Sequence, residues 1–308
     1  MAMPRAHGLF HKAIVQSASS LFGLATREEA ERNTQQFLAQ LGLDRTRLRS
    51  LHDLPAQTLV RAMLAAVKIS RRDDFRPVVD GRALPWQPFA PEAVQLSRSV
   101  PLMTGWCENE QRLNFAATRA IFMQSAEEAL ASIARALGVS RDDAMRLMAV
   151  YGDTRPGDSP GDIHTQIYGD HRYRRAVTRA AELQAAQGGA PVYTYLLRWR
   201  TSALGGILRA PHTLCLAFIF GNVDVPGGIV GSATDCDQLQ DEMTNAWVAF
   251  ARSGNPDHAG LAAWKPYSLS ERHTMVFDRQ SRLQADPLRE ERLAFEPFPR
   301  YIPAIGEA

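Results

Sequence analysis

Three short apolar runs, none long enough for a helix, do most to limit what this chain can fold into. They are Ala13-Ile14-Val15-Gln16-Ser17, Val100-Pro101-Leu102-Met103 and Val192-Tyr193-Thr194-Tyr195-Leu196-Leu197. A strand covered on both faces reads as an unbroken apolar run and not as an alternation. The second and third runs have helix-type sequence before them and a polar loop after them, which is the order of parallel strands in an α/β sheet.

The intervening sequence supplies the helices. Thr26-Arg27-Glu28-Glu29 is a capping box opening a helix with Phe37, Leu38 and Leu41 on one side and a stop at Gly42. A second box, Ser125-Ala126-Glu127-Glu128, starts a helix with Leu130, Ile133 and Leu137 at core spacing, closed by Gly138. Ser140 is the cap of the next helix, through Met145, Leu147 and Val150. Consecutive helices over about 112–187 end at Gly188-Gly189 and are read as an insertion after the second strand. Leu239, Met243, Trp247 and Phe250 recur at three to four residues, predicting an amphipathic helix stopped by Gly254-Asn255-Pro256. Trp264 and Met275-Val276-Phe277 are candidates for a last short strand. With no internal repeat and no low-complexity linker, residues 1–308 are expected to be one α/β domain with 112–187 inserted in it.

Composition narrows the function classes. With 45% hydrophobic and 22% charged residues and a net charge of +2, disorder is excluded, as is the basic field that nucleic-acid binding requires. No run approaches the roughly 18 apolar residues of a membrane span. The first eight residues contain no apolar signal-peptide core. Cys107, Cys215 and Cys236 are odd in number and far apart, which argues against a disulfide framework and against CxxC zinc sites. His7, His164, His171 and His258 show no metal-ligand spacing, so neither metal nor cofactor is expected, and the compartment is left open.

Five segments, taken in order, resemble the type-B carboxylesterase/lipase family, the α/β-hydrolases that include cholinesterases and bacterial para-nitrobenzyl esterases. Gly8 through Ser17 is similar to the strand after the family's nucleophile helix. Pro77-Val78-Val79-Asp80-Gly81 resembles its Pro-x-x-Asp-Gly turn, and Val100 through Gly105 the strand beyond. Trp106-Cys107-Glu108-Asn109-Glu110-Gln111 resembles the loop of the catalytic acid. Pro191 through Tyr195 followed by Ala210 through Asn222 resembles the histidine loop, and Ala246 through Pro256 the penultimate helix. The resemblance implies a partial α/β-hydrolase fold and a Ser-Glu-His triad, in which serine attacks an ester, histidine shuttles its proton and the acid fixes the imidazole. Carried over residue by residue, Glu110 takes the acid position and His212 the base position. Glu108 is the nearest rival acid. The family commonly has an acidic residue three after the histidine, where this chain has Cys215.

The nucleophile is expected to be missing. The family's elbow belongs ahead of Gly8, where the sequence has no Gly-x-Ser-x-Gly, and the chain is read as lacking that motif and the Gly-rich oxyanion loop. Ser17 lies at the end of a different strand and is set aside as a substitute. Since one oxyanion donor alone is worth about 3–4 kcal/mol, the chain is expected to be inactive by itself, as the C-terminal part of a truncated or split esterase. The competing expectation is a non-catalytic α/β-hydrolase-like interaction module. The expected partners are a small-molecule ester if the missing part is supplied, with Phe115, Phe122 and Tyr168 as candidate pocket residues. Association through an exposed sheet edge is also expected.

Overall fold

The computed structural model describes residues 1–18, 23–70, 75–232 and 235–298, with the side chains of 69 and 70 left aside. A 3-10 turn, Pro4–Ala6, leads into β1 (Ala13–Gln16), followed by helices α1 (Arg27–Gln40), α2 (Ala56–Ser70) and α3 (Pro91–Leu96). After β2 (Leu102–Cys107) come α4 (Arg112–Phe115), α5 (Ala126–Leu137), α6 (Arg141–Thr154), α7 (Pro160–Gly169), a π-helical turn at Asp170–Arg174 and α8 (Arg175–Ala186). The chain then forms β3 (Val192–Leu197), α9 (Leu214–Ile219), α10 (Asp237–Ser253), β4 (His273–Phe277), β5 (Arg282–Ala285) and α11 (Arg289–Ala294).

The sheet order is β1-β2-β3-β4-β5. The first four strands are parallel, with Ile14 opposite Met103, Met103 opposite Tyr193 and Leu196 opposite Val276, while β5 runs antiparallel to β4. Every residue of β2 and β3 is buried, which is why their sequences read as unbroken apolar runs. Alternate residues serve opposite faces. Met103, Cys107, Tyr193, Tyr195, Leu197, Met275 and Phe277 meet Phe218, Trp247, Phe250 and Trp264 on the side of α9 and α10. Leu102, Trp106, Val192, Leu196 and Val276 meet Val177 and Ala181 of α8 on the other. Gly105 is set by this packing, because a Cβ there would lie 2.3 Å from the Tyr195 ring and 2.4 Å from the Tyr195 carbonyl oxygen. A further apolar cluster, including Ile133, Leu147, Tyr151, Ile167 and Phe295, sits among α5, α6, α7 and α11.

The helix starts follow the capping signals. Thr26 and Ser125 each make both bonds of a capping box, and Ser140 accepts from the Asp143 amide. The strand ends differ from the sequence expectation. Val100 and Pro101 precede β2, which runs on to Cys107 because its later residues continue the parallel ladder with β3. Trp264 belongs to no strand; it packs edge-on against Tyr193 and Phe277 from a loop. Met275–Phe277 lie in β4, which is not the last strand, since β5 pairs with it beyond a turn.

Candidate active site

β2 ends at Cys107, and the four polar residues that follow are all buried: Glu108 and Glu110 are 2% exposed, Asn109 3% and Gln111 5%. A solvated loop would leave these groups in water, so their burial requires partners. Glu110 has three. Its Oε2 lies 2.5 Å from His212 Nδ1, and its Oε1 accepts from the Ser17 hydroxyl at 2.6 Å and from the Cys107 amide at 2.7 Å. An ionised carboxylate only accepts, so the imidazole carries its proton on Nδ1, which leaves Nε2 without one in the neutral ring. The His212 side chain keeps 31% of its surface exposed while Glu110 beneath it has almost none. The Tyr173 ring lies against the imidazole, with centroids 5.0 Å apart.

Three loops converge here. Ser17 follows β1, Glu110 follows β2, and His212 lies in the connection from β3 to α9, so neighbouring parallel strands deliver all three at the same edge of the sheet. The backbone is strained around them. Ser17, Arg209 and Thr213 have φ of +49°, +55° and +70°, a conformation that costs a non-glycine residue about 1–3 kcal/mol. Arg209 is held there by Asp158 at 2.9 Å and Asp162 at 3.0 Å. The two catalytic-type loops are also stitched together by backbone. Asn109 donates to the Ala210 carbonyl at 2.8 Å, and His212 donates to the Glu110 carbonyl at 3.2 Å.

The other candidates fall elsewhere. Glu108 pairs with Arg198 at 3.2 Å and Arg155 at 3.4 Å and not with a histidine. It belongs to a buried ion network in which Arg155 meets Glu291 at 2.7 Å and Arg174 meets Asp170 at 2.8 Å. Burial pushes the Asp170 carboxyl up to about 6, against the pull of Arg174. Cys215 is buried and accepts from the Gln16 side chain at 3.4 Å. It lies beside Cys107, whose thiol its hydrogen bond and burial push well up. Phe115 and Tyr168 line a cavity of about 690 Å³ with Ile121, Met123 and His164. Phe122 instead lies under the Arg112 guanidinium, 4.5 Å away. Burial, then Arg135, lowers His164 to about 4.

One expectation about the sequence needs correction: the Gly-x-Ser-x-Gly pattern does occur once, as Gly157-Asp158-Ser159-Pro160-Gly161. Its geometry is that of a helix cap. α6 precedes it where an elbow needs a strand, and Ser159 Oγ accepts from the Asp162 amide at 3.1 Å in a capping box at the start of α7. Gly161 is there for close approach, since a Cβ would lie 2.2 Å from the Ile121 carbonyl oxygen. Ser17 likewise spends its hydroxyl on the Glu110 carboxylate.

Asn109, Gln166 and Tyr173 were not singled out from the sequence. Asn109 stood beside the acid in the motif, a signal that could have been used. Gln166 and Tyr173 lie on the helices between β2 and β3, and nothing local in the sequence marks them. Among the described residues no group of three His, Cys, Asp or Glu side chains is arranged to hold a metal, and no helix is long and apolar enough to cross a membrane.

A mostly parallel sheet covered by helices on both faces, with a buried carboxylate and a histidine meeting on loops beyond adjacent strands, defines part of an α/β-hydrolase fold. The chain belongs to the carboxylesterase family, whose sequence profile matches residues 1–296. It is 29% identical to the para-nitrobenzyl esterase of Bacillus subtilis over 299 residues, covering 95% of this chain and 58% of that protein. It is 25% identical to the phenmedipham hydrolase of Pseudarthrobacter oxydans, covering 89% of this chain and 55% of that protein. The structure of a Geobacillus stearothermophilus carboxylesterase superimposes with a TM-score of 0.79 at 30% identity, covering 96% of this chain and 60% of that one. The chain therefore spans about half the length of the curated relatives it matches, from 48% to 58%.

Proposed function

We propose that this chain supplies the acid and base of a carboxylic-ester hydrolase, with Glu110 as the acid and His212 as the general base. The 2.5 Å contact between His212 Nδ1 and Glu110 Oε2 carries the reading. It leaves Nε2 clear of the carboxylate on a partly exposed side chain, able to take a proton from a serine hydroxyl and return it to the leaving alcohol. The acid keeps the tautomer and balances the imidazolium that forms. In the same reading the apolar part of the ester occupies the cavity lined by Phe115 and Tyr168. A non-catalytic module would have no use for a buried carboxylate locked on a half-exposed imidazole.

The attacking serine is proposed to come from outside these 308 residues. Among the described residues, Ser17 bonds the carboxylate and Ser159 caps a helix, so neither is offered to Nε2. A Glu–His pair without a hydroxyl to deprotonate is a weak general base at most. Hydrolysis of p-nitrophenyl acetate by the purified chain is accordingly expected to be slow and unchanged by His212→Ala. Turnover that disappears with His212→Ala would place a nucleophile within the chain and refute the divided site. The coding sequence immediately upstream of Met1 is a second check: an in-frame Gly-x-Ser-x-Gly is expected, and intact non-coding sequence counts against it.

A further inference from the structure

The acid loop is tied to the rest of the molecule by a directional chain of side-chain amides. Asn109 Oδ1 accepts from the Ala210 amide at 3.2 Å, which turns its Nδ2 toward Gln166 Oε1, 2.7 Å away. Gln166 Nε2 then donates to the Glu108 carbonyl at 2.7 Å and to Asp170 Oδ1 at 3.1 Å. Every polar atom of both amides is used, and each fixes the orientation of the next. Asn109, Gln166 and Asp170 are no more than 4% exposed. Asp170 is in turn clamped by Arg174 at 2.8 Å and the Tyr151 hydroxyl at 2.5 Å. The Glu108 carbonyl held by Gln166 and the Asn109 amide held by Ala210 are the two ends of one peptide unit, so the backbone immediately before Glu110 is pinned from both sides.

From this geometry we propose that Gln166 is a positioning residue of the acid–base pair, acting through Asn109 to hold the Glu110 loop in register with the His212 loop. The proposal rests on reading Glu110 and His212 as acid and base. Without Gln166, Asn109 Nδ2 and the Glu108 carbonyl are buried without partners and regain them only if the loop moves. Movement of Asn109 carries with it both links to Ala210. Asn109→Asp breaks the chain at the same link by a one-atom change, because a carboxylate still accepts from Ala210 but has nothing to donate to Gln166.

The test reads the His212 ring directly and does not depend on turnover. A proton held between Nδ1 and a carboxylate at this distance resonates far downfield and exchanges slowly. In histidine-labelled wild-type protein the signal is expected, and it should vanish in Glu110→Gln. If it is missing from the wild type or survives Glu110→Gln, the acid–base reading fails and this inference with it. Given a Glu110-dependent signal, Gln166→Leu and Asn109→Asp are each expected to abolish it, and the double variant to look like either single one. Gln184→Leu is the control: that buried glutamine bonds the Ser97 carbonyl at 2.6 Å, at the other end of β2, and its loss should leave the signal in place. Persistence of the signal in Gln166→Leu and Asn109→Asp overturns the proposal alone. So does its loss in Gln184→Leu, which would mark a general effect of destabilisation. Should Gln166→Leu fail to fold, Asn109→Asp decides.

Discussion

Glu110→Gln separates the proposed role of Glu110 as the acid from its contribution to stability. Two donors converge on Oε1, the Ser17 hydroxyl at 2.6 Å and the Cys107 amide at 2.7 Å, while Oε2 meets His212 Nδ1 at 2.5 Å. A glutamine amide must place its oxygen toward the two donors, because each buried donor left facing an NH2 group costs about 1–3 kcal/mol. Its NH2 then faces Nδ1. Keeping the proton on Nδ1 would oppose two donors, at a cost of about 2–3 kcal/mol, so the tautomer with Nε2 protonated is favoured roughly 30- to 150-fold. A protonated Nε2 cannot accept a proton, and in working triads the equivalent change lowers kcat about 10⁴-fold. Stability moves much less. Three charge-assisted bonds become neutral ones, each weaker by about 1 kcal/mol. That loss is offset by relief of the several kcal/mol that burying a carboxylate costs. The unfolding free energy is therefore expected to change by no more than about 2 kcal/mol in either direction. Long-range proton–nitrogen correlation spectra of the histidine rings at alkaline pH report the tautomer, and urea unfolding reports the stability. A His212 ring that keeps its proton on Nδ1 in Glu110→Gln would refute the reasoning, whatever the stability change.

Three further substitutions test other parts of the structure. Gly105→Ala puts a Cβ 2.3–2.4 Å from the Tyr195 ring and carbonyl oxygen, and since the backbone is one of the obstacles a loss of about 3 kcal/mol is expected in urea unfolding. A loss below about 0.5 kcal/mol would mean that β2 and β3 are not packed this closely. Ser159→Ala should cost about 1 kcal/mol by removing a capping box and leave the His212 ring spectrum unchanged. Labelling of Ser159 by a fluorophosphonate would contradict its role as a cap. His164 is held down at about 4 by burial, so between about 6.5 and 4 the unfolded chain binds a proton that the folded one refuses, and stability falls as pH falls. Asp170, raised to about 6, contributes the opposite slope between its ordinary value and about 6. His164→Asn, whose amide can still donate to Gln124, should therefore gain about 1–2 kcal/mol on the wild type between pH 7 and pH 5; urea midpoints that fall in parallel would exclude this.

The parts of the fold that depend on local chemistry were legible in the sequence. β3 reads off Val192–Leu197 because a buried parallel strand needs an unbroken apolar run, and the Thr26 and Ser125 boxes mark helix starts through bonds made within four residues. The apolar run ends at Met103 and the resemblance carries the strand to Gly105, with Trp106 and Cys107 in the acid loop; those two are strand because β3 lies alongside, pairing them with Leu196 and Leu197. β5, an edge strand of four partly exposed residues, has no apolar pattern to read. The site divides in the same way. Glu110 and His212 were found through motifs, while the function of Ser17 was hidden because its partner lies 93 positions away, and Gln166 because its partner Asn109 lies 57 away. The pentapeptide at Gly157–Gly161 shows the converse: a motif has no chemistry until the elements on either side of it are strand and helix.

Under the proposed function, the alignment of Glu110 with His212 is a property of these residues. The strained backbones of Ser17, Arg209 and Thr213 together cost about 3–9 kcal/mol and persist only because their surroundings over-determine them. Two of the restraints are visible. Ser17 is fixed by its amide on the Gly105 carbonyl at 2.9 Å and by its hydroxyl on Glu110, and Arg209 by two aspartates near the start of α7. The end of α7 carries Gln166, and the π-helical turn beyond it carries Tyr173 against the imidazole. A single helix and its underwound end thus bear on the acid loop, the histidine loop and the ring itself. A π-turn at that point has a geometric reason: the extra residue changes the direction in which Asp170 and Tyr173 leave the helix, so that one side chain can enter the ion network while the other reaches His212. The pair should therefore form with the same geometry in the isolated chain as in any assembly that completes the site.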